Sequence, residues 1–351
     1  MRTYFAVLAL AIGLVLARPA LAFDPALVAR ANAINNAAPP GGPAQRQPPN
    51  PNQPQDWLIK AGVLLDRAHA SPGAVDGRIG ANFRHAVAAF EAMHGGVADG
   101  RLTPQVWGAL NQGPPHPIAA IYTITPQDVA GPFYPDVGED FVKAAKLPAL
   151  GYSRPSQMLA ERFHMAEALI TALNPGADFG KAGTQIVVLQ PWVPPLPPVD
   201  HLEVDKAMAQ VRAYDASNKM IAAFPATVGS RERPSPSGVR KVVSVTFNPI
   251  YVYDPRKLTW GPRRAGRLTI KPGPESPVGV VWIALNAPGY GIHGAPNPTL
   301  IGKTQSHGCV RLTNWDATLL AHAVRRGVVV TFVHQRGEPV GPASAQGPSS
   351  T

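Results

Sequence analysis

Forty prolines in 351 residues divide this chain more sharply than any other feature of its sequence. Proline fixes φ and lacks a backbone N–H, so a run of prolines ends helices and excludes a central strand. Residues 39–54 (PPGGPAQRQPPNPNQP) have the composition of an extended linker, and residues 191–198 (PWVPPLPP) favour polyproline II. We therefore expect several folded modules, with a proline-rich linker at 23–54 and a proline-rich spacer at 191–199.

The first 22 residues predict an export signal. Arg2 gives a charged start, residues 4–17 are an apolar run, and Ala20-Leu21-Ala22 has the small-residue pattern of a cleavage site. The apolar run is shorter than the roughly 20 residues of a membrane-spanning helix, although an uncleaved anchor stays an alternative. We expect an exported, periplasmic and wall-associated protein with no stable membrane span after cleavage, and a disordered tail at 336–351.

Composition narrows the class of partner. The chain is 45% hydrophobic, which is typical of a folded protein, and its formal net charge is +10 with a pI near 9.9. Such a charge favours an anionic partner. Export and the lack of aromatic residues interleaved with the basic ones argue against nucleic acid, and a merely solvated basic surface stays an alternative.

Residues 55–112 predict three short helices. Apolar residues recur at helical spacing in the first two, and Thr103 followed by Pro104 is a typical start for the third. The sequence SPGAVDGRIG...AVAAFEAMHGGVADGRLTPQVWGAL resembles the three-helix peptidoglycan-binding domain, with Phe90-Glu91 where that family often has Phe-Gln. The resemblance implies binding to peptidoglycan glycan, and a packing domain without a ligand is the alternative.

Residues 150–190 predict a small α+β segment. A helical pattern beginning near Met158 ends at Asn174-Pro175-Gly176, and Ile186 to Leu189 read as a short strand. The segment, with its LNPG turn, resembles a LysM repeat, which implies binding to N-acetylglucosamine polymers. A structural connector is the alternative, and residues 113–149 are predicted to be a connector as well.

From residue 200 to 335 the pattern is that of strands. Residues 241–247, 278–285 and 328–333 are β-branched runs, and residues 215–219 read as a hairpin turn. One helix is expected after the cysteine, with Thr313 and Asp316 as a capping box and Gly327 at its end. The predicted fold is therefore multidomain: a small three-helix module, a LysM-like α+β segment and a mostly β domain.

Cys309 is the single cysteine of the chain, in the sequence GKTQSHGCVRLTNWDA. An unpaired cysteine in an exported protein indicates a crosslink to another chain or a working thiol. A thiol with a pKa of about 8.5 needs a base to attack at neutral pH. His307, two residues away, could supply it if the segment is a strand, and His293, between Gly291 and Gly294, could do so from an adjacent strand.

The pair GYGIHGAPNP...GKTQSHGCVRLTNWDA closely resembles the catalytic motif of the L,D-transpeptidases of the YkuD family, and the resemblance extends from residue 201 to about 333. It implies a β-sandwich domain in which Cys309 is the nucleophile, His293 its base and the Gly294 carbonyl the group that orients the histidine. It further implies that the following residues line the substrate and oxyanion site: Ser306, His307, Gly308 and Arg311. Arg311 would hold a stem carboxylate or stabilise the loop through hydrogen bonds.

The resemblance implies attack of Cys309 on the carbonyl before the terminal D-alanine of a stem tetrapeptide, with a thioester intermediate and no cofactor. The acceptor stays open between a second stem peptide, a lipoprotein lysine, a free D-amino acid and water. A cysteine hydrolase or carboxypeptidase of the same fold and a non-enzymatic wall-binding protein are alternatives. A zinc site from His293, His307 and Cys309 is chemically conceivable, but no C-x-x-C or H-E-x-x-H pattern completes it, so no metal is expected.

Overall fold

The structure is a computed structural model, which describes residues 22–40, 53–135, 137–138, 140–256, 261–262, 266–335 and 338–339. The predicted export signal lies outside the described residues except for Ala22, as do residues 41–52 of the predicted linker and all of the predicted tail except residues 338–339. No helix in the described part of the chain is both long enough and apolar enough to cross a bilayer.

Helices dominate the first half of the chain and strands the second. The helices are α1 Pro25–Asn35, α2 Asp56–Arg67, α3 Ala81–Met93, α4 Pro104–Leu110, α5 Pro126–Val129, α6 Phe141–Ala144, α7 Pro155–Arg162, α8 Glu167–Leu173 and α9 Asn314–Ala323, with a 3-10 helix at Pro298–Leu300. The strands are β1 Ala119–Thr123, β2 Gln185–Leu189, β3 His201–Asp205, β4 Gln210–Tyr214, β5 Met220–Pro225, β6 Gly238–Phe247, β7 Tyr251–Tyr253, β8 Leu268–Ile270, β9 Val281–Leu285, β10 Gly291–His293, β11 Val310–Arg311, β12 Val329–Gln335 and β13 Glu338–Pro339.

Helices α2, α3 and α4 form the predicted three-helix module. Thr103 caps α4 by accepting from the Val106 N–H at 3.3 Å. Glu91, at the position where the resembled family often has Gln, accepts from the Gly100 N–H at 2.9 Å and so fixes the turn between α3 and α4. Apolar residues of all three helices share one core: Leu58, Ala61, Leu65, Phe83, Val87, Phe90, Val106 and Leu110.

The prediction of a linker over residues 23–54 is wrong for its first part, because residues 25–35 form α1. Asp24 caps this helix by accepting from the Ala26 N–H at 2.8 Å. Its Ile34 is fully buried in a core shared with β1 and β2. This helix is difficult to predict from the sequence, because its apolar residues are few and the strands that bury them lie more than eighty residues away in the chain.

The segment predicted as LysM-like does not close on itself. Its strand β2 pairs antiparallel with β1, which lies in the predicted connector, and α7 and α8 pack beside this two-stranded sheet. Asn174, in the predicted turn, donates to the Ile170 and Val187 carbonyls and accepts from the Val187 N–H. We call residues 119–189 the middle unit. The LysM likeness itself stays a prediction.

Residues from 200 onward form the predicted mostly β domain. Among the described residues its main sheet has nine strands, in the order β11-β10-β9-β6-β12-β3-β4-β5 with β13 beside β12. The expected hairpin turn at 215–219 joins β4 and β5. Thr313 caps α9 by accepting from the Asp316 N–H at 3.1 Å, as expected, but the helix ends at Ala323, before Gly327. Helix α9 packs against β9 and β10 and so supports the strand end that carries His293.

The modules contact one another directly, which the proline-rich stretches did not predict. Strand β5 bonds to the three-helix module, because the Ala223 N–H donates to the His69 carbonyl and the Ser71 N–H donates to the Ala223 carbonyl. His164 of the middle unit bonds Asp66 of α2 at 2.7 Å. The predicted spacer at 191–199 is held at its start, where the Arg67 guanidinium donates to the Pro191 carbonyl at 3.0 Å.

Candidate active site

His293 is the last residue of β10, a short strand between two partners. Strand β10 pairs antiparallel with β9, where His293 lies opposite Trp282, and parallel with β11, where it lies opposite Arg311. The imidazole is 3% exposed and stacks on the Trp282 ring with centroids 5.3 Å apart. Gly291 permits this packing, since a Cβ there would lie 2.8 Å from the Trp282 ring.

The Gly294 carbonyl fixes the tautomer of His293. Nδ1 of His293 lies 2.6 Å from that carbonyl oxygen. Because a carbonyl only accepts, Nδ1 carries the proton and Nε2 keeps its lone pair. The Gly294 backbone is in turn packed against the Asn314 amide at the start of α9, and a Cβ on Gly294 would overlap Asn314 Oδ1. The arrangement leaves Nε2 able to accept a proton.

Cys309 lies on a bend that leads into β11, and its side chain is half-buried. Val310 pairs with Ile292, so Cys309 lies beside the start of β10, two residues from His293 along that strand. The thiol donates weakly to the Gly289 carbonyl, with Sγ 3.6 Å from the oxygen, and the Gly291 N–H faces the sulfur. The fold thus brings together the thiol and the upstream histidine.

Ser306 and Gly308 form the turn before the thiol. Ser306, 3% exposed, accepts from the Gly308 N–H at 3.0 Å and donates to the Cys309 carbonyl at 2.5 Å. Gly308 has φ +119, and a Cβ there would lie 2.7 Å from the Tyr290 ring. These bonds make Ser306 a residue that shapes the turn, and they occupy the Gly308 N–H that the sequence suggested as an oxyanion donor.

His307 differs from His293 in burial and in local structure. It is exposed, and residues 307–309 form bends and not a strand. The condition under which the sequence placed His307 beside Cys309 is therefore not met. Of the two histidines that the sequence left open, the geometry favours His293.

Burial keeps both the His293 imidazole and the Cys309 thiol neutral at pH 7. Burial, followed by the positive charge of Arg311, lowers the pKa of His293 to about 3. Burial raises the pKa of Cys309, and the Gly291 N–H and Arg311 offset part of that rise. A neutral imidazole beside a neutral thiol can take the thiol proton during attack, without a preformed ion pair.

Arg311 is fixed in β11 by two backbone bonds to Thr227. The Arg311 N–H donates to the Thr227 carbonyl and the Thr227 N–H donates to the Arg311 carbonyl, both at 2.9 Å. Since Arg311 and His293 are in-register partners on adjacent parallel strands, their side chains lie on one face of the sheet. Its charge is therefore a permanent part of the site.

The sequence missed three residues that contact or influence the site. Tyr251 of β7 lies near Cys309, and burial together with that thiol raises its pKa. Trp282 and Asn314 contact His293 and Gly294. Trp282 occurs in an apolar strand and Asn314 follows a cap residue, so neither carried a signal of its own. No cluster of His, Cys, Asp and Glu able to hold a metal ion occurs in the described ranges.

Comparison with known proteins gives two matches along the chain. Residues 200–332 match the family model of the YkuD "L,D-transpeptidase catalytic domain", and residues 49–110 match that of the "Putative peptidoglycan binding domain". Among curated proteins, the chain is similar to "Putative L,D-transpeptidase YkuD" of Bacillus subtilis, 27% identical over 174 residues, covering 50% of this chain and 90% of that protein. It is also similar to "Probable L,D-transpeptidase YbiS" of Escherichia coli K12, 26% identical over 195 residues, covering 53% of this chain and 62% of that protein.

Among solved structures, the chain is similar to L,D-transpeptidase 3 from Mycobacterium tuberculosis in complex with a faropenem-derived adduct, with a TM-score of 0.32 and 17% identity, covering 43% of this chain and 74% of that one. The two expected family resemblances are confirmed by the matched domains, whereas neither matched family model covers the LysM-like segment, which stays a prediction. The chain therefore carries an L,D-transpeptidase catalytic domain of the YkuD family behind a peptidoglycan-binding domain.

Proposed function

We propose that this chain is a peptidoglycan L,D-transpeptidase in which Cys309 is the nucleophile and His293 its base. One observation carries the assignment of residues: the buried His293, with its tautomer fixed by the Gly294 carbonyl, lies on the strand beside the single thiol of the chain. A nucleophile, a base and a group that orients the base are the parts that thiol acyl transfer requires.

The proposed reaction begins with both groups neutral. The Cys309 sulfur attacks the carbonyl carbon before the terminal D-alanine of a stem tetrapeptide, while Nε2 of His293 takes the thiol proton. The tetrahedral intermediate then collapses, the bond to D-alanine breaks, and His293 returns the proton to the leaving amine. The thioester left on Cys309 is resolved by an amine, which gives a new amide and frees the thiol.

Backbone geometry and Arg311 supply the electrostatic part of the proposal. Negative charge develops on the carbonyl oxygen during attack and needs donors that are already in place. The Gly308 N–H bonds Ser306 in the resting structure, so it contributes only if the oxyanion replaces the hydroxyl as its acceptor. The charge of Arg311 adds to the fall that burial gives the pKa of His293 and offsets part of the rise that burial gives the pKa of Cys309. It also favours an anionic intermediate and a stem carboxylate.

The peptidoglycan-binding domain and the family of the catalytic domain support a cell-wall or periplasmic location. We propose that the acceptor is an amine of a second stem peptide. A lipoprotein lysine is the alternative acceptor, and its use would link the wall to the outer membrane. We further propose that the middle unit contacts glycan, as its LysM-like turn implies.

Mass spectrometry of tetrapeptide-containing muropeptides incubated with the mature protein tests the activity. New dimers with loss of D-alanine support transpeptidation. Tripeptides alone would mean that water is the acceptor, shortened dimers would mean a crosslink hydrolase, and unchanged muropeptides would contradict all three. Adding a lipoprotein-derived lysine peptide to the same reaction separates the two proposed acceptors.

A further inference from the structure

The middle unit lies behind the histidine side of the catalytic site. Its α7 ends next to the start of α9, and there Glu161 contacts the catalytic domain. The matched catalytic domain begins at residue 200, so Glu161 lies outside the part of the chain that the family model covers. This contact is therefore a feature of the whole chain and not of the catalytic domain alone.

Glu161 is one of two acceptors for the Asn314 amide. The Asn314 Nδ2 donates to Glu161 Oε1 at 3.0 Å and to the Pro274 carbonyl at 3.1 Å. The Tyr152 hydroxyl donates to the same Glu161 oxygen at 3.0 Å. Both amide hydrogens are thus engaged, one by an acceptor inside the catalytic domain and one by Glu161 outside it.

The other end of the Asn314 amide faces the site. Its Oδ1 accepts from the Val280 N–H at 3.2 Å and packs directly against Gly294 and Gly279, so that a Cβ on either glycine would overlap it. The Gly294 peptide can therefore move little without displacing the Asn314 amide. That peptide contains the carbonyl that bonds Nδ1 of His293 at 2.6 Å.

We propose that Glu161 is a positioning residue for His293, acting through the Asn314 amide and the Gly294 carbonyl. Glu161 touches no reacting atom in this proposal; it fixes the amide that limits where the Gly294 carbonyl, and hence the imidazole, can lie. The inference rests on the proposed role of His293 as base. It assigns the middle unit a part in catalysis besides its packing.

A purely structural role for Glu161 gives a different expectation. The middle unit also contacts the catalytic domain through Gln157, which donates to Glu275 Oε1 at 2.9 Å, and through Leu150, whose N–H donates to the Pro272 carbonyl. If Glu161 only docks the unit, removing it resembles removing Gln157. Gln157 lies on the same helix and bonds the catalytic domain at Glu275 rather than at Asn314, so Gln157→Ala is a matched control.

The test compares kinetics with thiol reactivity in the full chain. We expect Glu161→Ala to lower kcat for D-alanine release about tenfold with KM unchanged, because a misplaced base slows chemistry more than binding. Alkylation of Cys309 by iodoacetamide near pH 7 should slow in parallel. Glu161→Gln keeps an oxygen that accepts from Asn314 and should restore both rates, while Gln157→Ala should leave both near the wild-type values.

Equal rates for Glu161→Ala and Gln157→Ala, or no recovery in Glu161→Gln, would overturn the positioning role. If Glu161→Ala does not fold, Glu161→Met, which fills similar volume without an acceptor, is judged by the same two rates. Failure of the proposed function looks different: the wild-type protein would then release no D-alanine, or Cys309→Ala would still release it, whatever the Glu161 variants do.

Discussion

The two sides of the candidate site are built in different ways. His293 lies within a sheet, 3% exposed, with strands on both sides, an aromatic ring stacked on it and a carbonyl fixing its tautomer. Cys309 lies on a bend, half-buried, with a weak 3.6 Å contact to the Gly289 carbonyl. The proposed base is preorganised, whereas the proposed nucleophile is partly exposed on a bend.

Each side also contacts a different neighbour. The histidine side is packed against the middle unit through Asn314 and Glu161. The loop that precedes the cysteine contacts the three-helix module, because the Asn82 amide donates to the Ile301 carbonyl at 2.8 Å and packs against Gly302. Both N-terminal modules therefore contact the framework of the candidate site.

The largest effect is expected at the cysteine side. Cys309→Ala removes the nucleophile, so D-alanine release should fall to background. Because the side chain is small and half-buried on a bend, the melting temperature should change little. Mass spectrometry of the muropeptide products and calorimetry measure the two quantities. Continued D-alanine release by this variant would show that another residue is the nucleophile.

At the histidine side we expect loss of both activity and stability. His293→Ala removes the base, and general-base catalysis contributes about 10²- to 10⁴-fold, so kcat/KM should fall in that range. It also leaves the Gly294 carbonyl without its donor, which costs about 1–3 kcal/mol in a buried site. Alkylation of Cys309 by iodoacetamide should slow near neutral pH.

His307→Ala is the control that separates the two histidines left open by the sequence. His307 is exposed and lies on a bend. We therefore expect the fold-loss of kcat/KM in His307→Ala to be smaller than that in His293→Ala by a factor of at least about ten. A greater loss in His307→Ala than in His293→Ala would reverse the assignment of the base.

The sequence predicted the parts of the site that are local in the chain. Cys309, His293 and the cap at Thr313 stand in short motifs whose chemistry can be read residue by residue. Local motifs do not reveal Trp282, Asn314 and Glu161, because these residues contact the site only in the folded chain. The same reason explains α1 and β1: β2, the strand that pairs with β1, begins sixty-two residues after β1 ends.

A smaller effect is expected from the contact of the three-helix module with the cysteine side. Asn82→Ala removes the bond to the Ile301 carbonyl, which should cost about 1 kcal/mol of unfolding free energy. We expect kcat/KM on soluble muropeptides to change by less than about threefold, since the loop keeps its bonds to Thr227.

Asn111→Ala is the matched control, because its amide donates to the Trp107 carbonyl within the same module and away from the catalytic domain. Because this bond is exposed whereas that of Asn82 is buried, the variant should lose less stability, with unchanged kcat/KM. A tenfold or greater fall in kcat/KM for Asn82→Ala would mean that the cysteine side depends on its neighbouring module as strongly as the histidine side does.

The smallest expected effect is a pH dependence of stability at the histidine side. Burial raises the pKa of Glu161 to about 7, while an unfolded chain has a glutamate pKa near 4.3. Between these values the folded state binds more protons than the unfolded state. The contribution of Glu161 is therefore fully present below about pH 4.3 and is lost as the pH rises through about 7.

Glu161→Gln does not titrate, so its melting temperature relative to the wild type should rise from pH 5 to pH 8, by on the order of 2 °C. Burial also raises the pKa of Glu275 to about 7 and lowers that of His293 to about 3. Both groups are present in the two proteins, so Glu275 enters the difference only through its repulsion of Glu161. If the difference is instead flat, the Glu161 carboxylate is ionised at neutral pH with an ordinary pKa. The histidine side would then be packed against a charge, unlike the cysteine side, where the neutral Asn82 amide bonds the Ile301 carbonyl.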